Sequence, residues 1–241
     1  MWDIYDRLIS GIPDDITVKS AVCGLVWTAV TTSDGGVGLA MTTDVHTLPA
    51  EIYDFTGLPL KAAAERVKSW NFTEAGIGMA AINAYYNSPK RMEALNAAQP
   101  DDRFCSFDIP LKGKNVTLVG AIRSPEHIFD DAARLIIMER SIVKGTDPDS
   151  ACEYYLPDSD VVIITGSAFV NKTMPRLIEL SRHADVIITG PSTPMADILF
   201  DYGVRRLTGL SVTDTAGCIA HACSGKNSSP YRYGRRFAIE R

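Results

Sequence analysis

A chain of 241 residues, 46% hydrophobic and 22% charged, has the length and composition of a globular protein with one large or two small domains around a real core. Its net charge of −5 gives no global electrostatic reason to expect nucleic acid as a partner. Residues 1–10 carry Asp3, Asp6 and Arg7 in place of an apolar signal, no apolar run approaches the ~18 residues of a membrane span, and the cysteines (Cys23, Cys105, Cys152, Cys218, Cys223) show no CxxC spacing, so the expected setting is cytoplasmic with reduced thiols.

In chain order, residues 18–31 and 37–43 read as strands, and Asp34-Gly35-Gly36 between them is a hairpin signal. After a polar loop, 60–70 reads as a helix, and Asn71-Phe72-Thr73-Glu74 opens another that runs to about Tyr86. That helix carries Gly76 and Gly78, each costing about 1 kcal/mol in a helix interior, which points to close backbone packing or to a ligand pressed against that face. Pro89 opens a third, short helix. The turn-rich, charged stretch 99–114 marks a boundary.

Beyond it the pattern alternates strand and helix. Strands are expected at 116–119, 134–138, 161–164, 186–188 and 204–210, and helices at 125–131, 173–183, 195–202 and 213–224. Such alternation argues for an α/β fold with a Rossmann-like, doubly wound parallel sheet, preceded by a smaller α+β unit.

Two strand-ending loops stand out. One reads Thr165-Gly166-Ser167, followed by Asn171 and Thr173; the other reads Thr189-Gly190-Pro191-Ser192-Thr193-Pro194. In an open α/β sheet, ligands bind beyond the carboxyl ends of the strands. Glycine lets backbone approach a ligand, and hydroxyls and amides fix its polar groups. The competing reading is structural: Asn171 or Thr173 as a helix cap, and 190–194 as a rigid turn.

Glu139 follows an apolar strand directly, where a carboxylate serves as general base or ligand anchor, or else pairs with Arg140. Asp214 has the same position but also reads as an ordinary helix-dipole partner. Asn83, on the glycine-bearing helix, either reaches a cleft or is a bonded core amide. Gly120 ends the first βα strand in Gly120-Ala121-Ile122-Arg123-Ser124, which lacks the GxGxxG fingerprint. That lowers the case for NAD and leaves another nucleotide or S-adenosylmethionine open; the cofactor stays unknown. Arg123 and Ser124 offer an anion grip.

Cys218, His221 and Cys223 form the one local group of soft ligands. Cys223 points away on an ideal helix and no fourth ligand is evident, so no metal site is assigned. His46, His127 and His183 are isolated. The tail, with Arg232, Arg235, Arg236 and Arg241 beside Tyr231 and Tyr233, reads as a docked segment, with a subunit contact in a homo-oligomer left open.

The motifs 116–120, Glu139, 160–173 (DVVIITGSAFVNKT), 190–194 (GPSTP) and 203–214 (GVRRLTGLSVTD), preceded by Gly24-Leu-Val-Trp27-Thr28, Gly38-Leu-Ala40 and 76–84 (GIGMAAINA), resemble a two-domain family of unknown function associated with heavy-metal chelation. The resemblance implies an enolase-N-terminal-like domain over 1–104, a Rossmann-like domain over 105–241, and one site at their junction.

On that reading Glu139 and Asn171 carry catalysis. Asn83, Gly120, Thr165, Gly166, Ser167, Thr173, Gly190, Pro191, Ser192, Thr193 and Asp214 bind the ligand. The expected function is small-molecule binding, with or without turnover, and a role in chelation through a metallophore or metal-bound cofactor. A non-catalytic carrier or sensor of a small anionic or nucleotide-like ligand is the alternative. Nucleic acid and membrane are not expected partners.

Overall fold

A computed structural model describes residues 2–43, 48–52, 54–99, 110–120, 122, 126–141 and 143–241. His46, Cys105, Arg123, Ser124 and the expected boundary at 104/105 lie outside the described residues.

The first half is built on a three-stranded antiparallel sheet, β1 (Val18–Cys23), β2 (Trp27–Thr32) and β3 (Val37–Met41), in that order. The hairpin at Asp34-Gly35-Gly36 forms as expected, with Gly35 at φ +90°. The run 18–31 is two strands rather than one. It breaks after Cys23, where the Gly24 N–H donates to the Trp27 carbonyl at 3.0 Å and turns the chain; a Cβ on Gly24 would sit 2.0 Å from the Ala222 carbonyl oxygen.

Helix α1 (Asp3–Ser10) was not anticipated; it buries Ile4, Tyr5, Leu8 and Ile9 on one face. The expected helix 60–70 is α2 (Leu60–Ala64) continued by a 3-10 turn to Lys68. Helix α3 (Phe72–Tyr86) is capped by Asn71, whose side chain accepts the Glu74 N–H, and α4 (Pro89–Ala94) follows. The α3 glycines report close packing. A Cβ on Gly78 would lie 2.0 Å from the Val67 backbone nitrogen, and one on Gly76 would lie 3.3 Å from the Thr28 hydroxyl.

The second half is a seven-stranded sheet. Its strands are β4 (Asn115–Val119), β5 (Arg134–Glu139), β6 (Asp147–Pro148), β7 (Val161–Thr165), β8 (Asp185–Thr189), β9 (Val204–Val212) and β10 (Gly234–Glu240). Their spatial order is β10-β9-β8-β7-β4-β5-β6. All neighbours are parallel except β10, which pairs antiparallel to β9. The docked tail is therefore an edge strand.

Helices α5 (Cys152–Tyr155), α6 (Met174–Leu180) and α7 (Thr215–Cys223) are short, and the expected helix 195–202 is a 3-10 segment over Asp197–Tyr202. Both faces of the sheet are covered. Val162, Ile164 and Ile188 join one buried cluster, while Val161, Ile163 and Ile187 join another on the opposite face. The first of these clusters continues through Tyr5, Leu60, Met79 and Ile82, so the two halves share one core. Among the described residues no helix is long and apolar enough to cross a membrane.

Gly78→Ala tests the α3 packing by its sign. Helix propensity alone favours alanine by about 1 kcal/mol, whereas overpacking against fixed backbone costs about 1–3 kcal/mol. Urea unfolding is expected to show a net loss of stability; a gain would mean that α3 does not lie against residues 66–67 as described.

Candidate functional site

The chain leaves β4 for β5 and β6 on one side, then returns to lay β7 on the other side of β4. This reversal of strand order leaves a crevice beyond the carboxyl ends of β4 and β7, the usual ligand position in an open sheet. Gly120 sits there at φ +99°, and a Cβ on it would lie 2.7 Å from Thr165 Cγ2. Both the backbone angle and the close approach demand glycine.

A cleft of about 330 Å³ opens at this point. It is lined by Gly120 from β4, Glu139 from β5, Thr165 and Ser167 from the end of β7, and Asn171, Lys172 and Thr173 from the turn into α6. Thr165 Oγ1 and Ser167 Oγ are 3.1 Å apart and half-buried. Asn171 Oδ1 accepts from the Thr173 N–H at 3.1 Å and from its hydroxyl at 2.7 Å, so Asn171 organises the turn while facing the cleft. Glu139 Oε1 accepts the Arg140 N–H at 2.9 Å.

The rim charges are paired. Arg140 Nε lies 3.3 Å from Asp149, and Arg176 grips Glu153 through Nε and Nη2 at 2.9 and 2.5 Å. These rim pairs are largely exposed and contribute little to stability; they leave the wall close to neutral. Cys152, also on the wall, is buried, and burial pushes its thiol up to about 11. At neutral pH it is a thiol and a poor nucleophile.

Lys172 is the functional candidate that sequence reading missed. It is 9% exposed and has φ +65°, a left-handed conformation that costs a non-glycine residue roughly 1–2 kcal/mol. Its Nζ donates to the Val170 carbonyl at 3.1 Å and lies 4.8 Å from the Phe72 ring centroid and 5.4 Å from that of Trp70. Among the described residues no carboxylate pairs with it. Burial pulls its ammonium down to about 8; the two ring faces favour the charged form and restrain that fall. The available signal was a lone cation in an apolar strand-to-helix connection, which by itself is weak.

The other expected residues lie elsewhere. Gly166 is buried behind the cleft, where a Cβ would sit 2.5 Å from the Thr193 nitrogen. Ser192 and Thr193 are buried against the first half. Ser192 Oγ accepts the Met41 N–H at 2.8 Å, and the Thr193 carbonyl accepts from Asn87 Nδ2 at 2.9 Å. Gly190 takes φ +113° for the turn, with Pro191 half-buried beside it. Asn83 is wholly buried and donates to the Leu39 carbonyl at 2.7 Å. Asp214 is exposed and caps α7 by accepting the Gly217 N–H at 2.9 Å.

The donors among the described residues do not fit a metal. Among the described residues no three His, Cys, Asp or Glu side chains are grouped to hold an ion. Burial pushes the Cys218 thiol up to about 12, His221 Nε2 lies 3.1 Å from the Ser228 carbonyl, and Cys223 is exposed.

Family models match both halves under one description, "Putative heavy-metal chelation": DUF4213 over residues 5–86 and DUF364 over residues 106–240. The chain is similar to a crystal structure of a DUF364-family protein of unknown function from Desulfitobacterium hafniense DCB-2. The two are 38% identical over 100% of this chain and 99% of that one, with a TM-score of 0.91. A Pyrococcus horikoshii protein of the same family and unknown function is 21% identical over 99% and 98%, with a TM-score of 0.83, and shares the fold. No curated protein matches.

Two measurements follow from this geometry. Asn87→Ala strips partners from buried backbone groups at Thr193, Leu210 and Met195. It should cost on the order of 3 kcal/mol, read by urea unfolding. For Lys172, the folded value of about 8 lies below the ordinary 10.5. The unfolded state therefore binds more protons between those values, and stability should rise with pH across that window. Lys172→Met should flatten the rise relative to wild type in melts at pH 7.5 and 9.5.

Proposed function

The chain belongs to the DUF364 family, and on that premise we propose that it is a small-molecule-binding protein whose ligand occupies the cleft beyond β4, β5 and β7. One observation supports this reading above the others. Gly120, Glu139, Thr165, Ser167, Asn171 and Thr173, drawn from three separate strand ends, line one cleft where the strand order reverses. Thr165 and Ser167 supply hydroxyls, Glu139 a carboxylate, and Lys172 a buried cation that wants an anionic partner. The ligand is accordingly a small polar molecule carrying negative charge.

The family description is accommodated without a metal ligand set on the protein. The rim acids Asp149 and Glu153 are engaged by arginines, and Cys152 holds its proton. A metal then arrives as cargo of the bound molecule, which chelates it. Catalysis is favoured by Glu139 and Lys172 lining the same cleft. The carrier reading is favoured by the protonated state of Cys152, which removes the one thiol found among the described lining residues as a nucleophile.

Native mass spectrometry of freshly purified protein should show a small-molecule mass that is lost on denaturation. Thr165→Val with Ser167→Ala should weaken its retention by about 3- to 10-fold per hydroxyl, whereas Asp214→Asn should leave it unchanged. Stoichiometric metal on a chain free of any small molecule would sink this reading. Once a reaction is assigned, Glu139→Gln separates the classes: an enzyme loses turnover by about 100-fold or more with a far smaller loss of affinity, and a carrier changes affinity alone.

A further inference from the structure

Lys172 stands apart from the other basic residues of the cleft. Arg140 and Arg176 are tied to rim carboxylates. Lys172 is buried, its Nζ bonded to a carbonyl two residues back in its own turn, with the Trp70 and Phe72 rings over it. Its left-handed backbone, between the Asn171 turn and α6, sends the side chain from the second half to aromatic residues of the first. A lysine serving only as a strut would be cheaper with a carboxylate partner or as an apolar residue. A strained, buried lysine among the residues that line a cleft is an arrangement that can yield a nucleophilic amine, once its Nζ swings from the Val170 carbonyl toward the cleft.

We propose that Lys172 is a covalent anchor, whose Nζ condenses with the carbonyl of a small oxo acid to form an imine. The inference rests on the cleft being the ligand site. The neutral amine's lone pair forms the C–N bond while the carbonyl π pair moves onto oxygen. Both amine protons then leave with that oxygen as water, giving a neutral C=N, whose nitrogen takes up a proton from solvent. No oxidant or reductant is needed. Burial supports the step by lowering the amine's proton affinity, so that a usable neutral fraction exists near pH 8. The Thr165 and Ser167 hydroxyls stand ready for the carboxylate, whose charge balances the protonated imine.

Full-length wild-type protein is incubated with pyruvate, reduced with borohydride and mapped by peptide mass spectrometry. The expected result is a borohydride-dependent adduct concentrated on Lys172, with a yield that rises between pH 6.5 and about 8.5 as the amine loses its proton. It should be absent from Lys172→Arg protein whose melting and circular dichroism match wild type. Adduct spread over the lysines according to their exposure would overturn the inference, and the wild-type map reads this even if the variant fails to fold. Calorimetric titration with pyruvate, and with lactate, which lacks the carbonyl, separates the two readings. Binding that Thr165→Val weakens, without trapping, ends the imine and leaves the cleft intact; neither binding nor trapping overturns both for this ligand class.

Discussion

The side-chain amide of Asn87 holds the two halves of this protein in register. It stands at the C-terminal end of α3, 1% exposed, and its bonds all go to backbone of the second half. Nδ2 donates to the Thr193 and Leu210 carbonyls at 2.9 and 3.2 Å, and Oδ1 accepts the Met195 N–H at 2.9 Å. Apolar packing across the shared core supplies most of the attraction but little direction. A buried amide saturated by backbone partners supplies direction, because any shift leaves a polar group unpaired at a cost of about 1–3 kcal/mol.

From that amide a chain of contacts leads to the cleft. The 190–195 turn is held on one side by Asn87 and by the Ser192 bond to Met41. Its Ser192–Thr193 peptide lies so close to Gly166 that no side chain fits there. Gly166 in turn fixes where Thr165 and Ser167 emerge, and the Thr165 methyl lies against Gly120 on the neighbouring strand. The geometry of the cleft hydroxyls is thus set from the first half, although few first-half side chains stand near them. Lys172 is the reciprocal case, a second-half residue covered by first-half rings.

This division explains how much was legible in the sequence. Strands β4, β7 and β8 are short, largely β-branched runs buried along nearly their whole length, and a parallel strand buried on both faces announces itself that way, while β5 and β9 follow from the strand–helix alternation around them. β10 did not, because an edge strand half-open to solvent carries arginines where β7 and β8 carry valines and isoleucines. Helix α1, expected only not to be a signal segment, earns its stability from tertiary burial. The Thr-Gly loops look alike in sequence and end adjacent strands, yet only the first borders the point where strand order reverses. The second is covered by Asn87 and β3, and such coverage depends on partners some hundred residues away that local pattern does not encode. Lys172 was illegible for the same reason: its burial and its ring partners are properties of the assembled junction.

Chelation and the cleft chemistry are reconciled by asking which groups are already satisfied. A site that binds a divalent ion directly needs several carboxylates, thiolates or imidazoles left uncompensated around one point. Here the nearby acids Asp149 and Glu153 are compensated by guanidinium groups, and the nearby thiol is held protonated by burial. Lys172, for which no carboxylate partner is found among the described residues, adds a positive charge to the lining beside the Glu139 carboxylate. On the reading proposed above, the Lys172 amine and the neighbouring hydroxyls take the anionic part of the ligand. Under that proposal an organic chelator with ionised oxygens would meet the requirement, and its own donor atoms, rather than those of the protein, would complete the coordination sphere of any metal it carries.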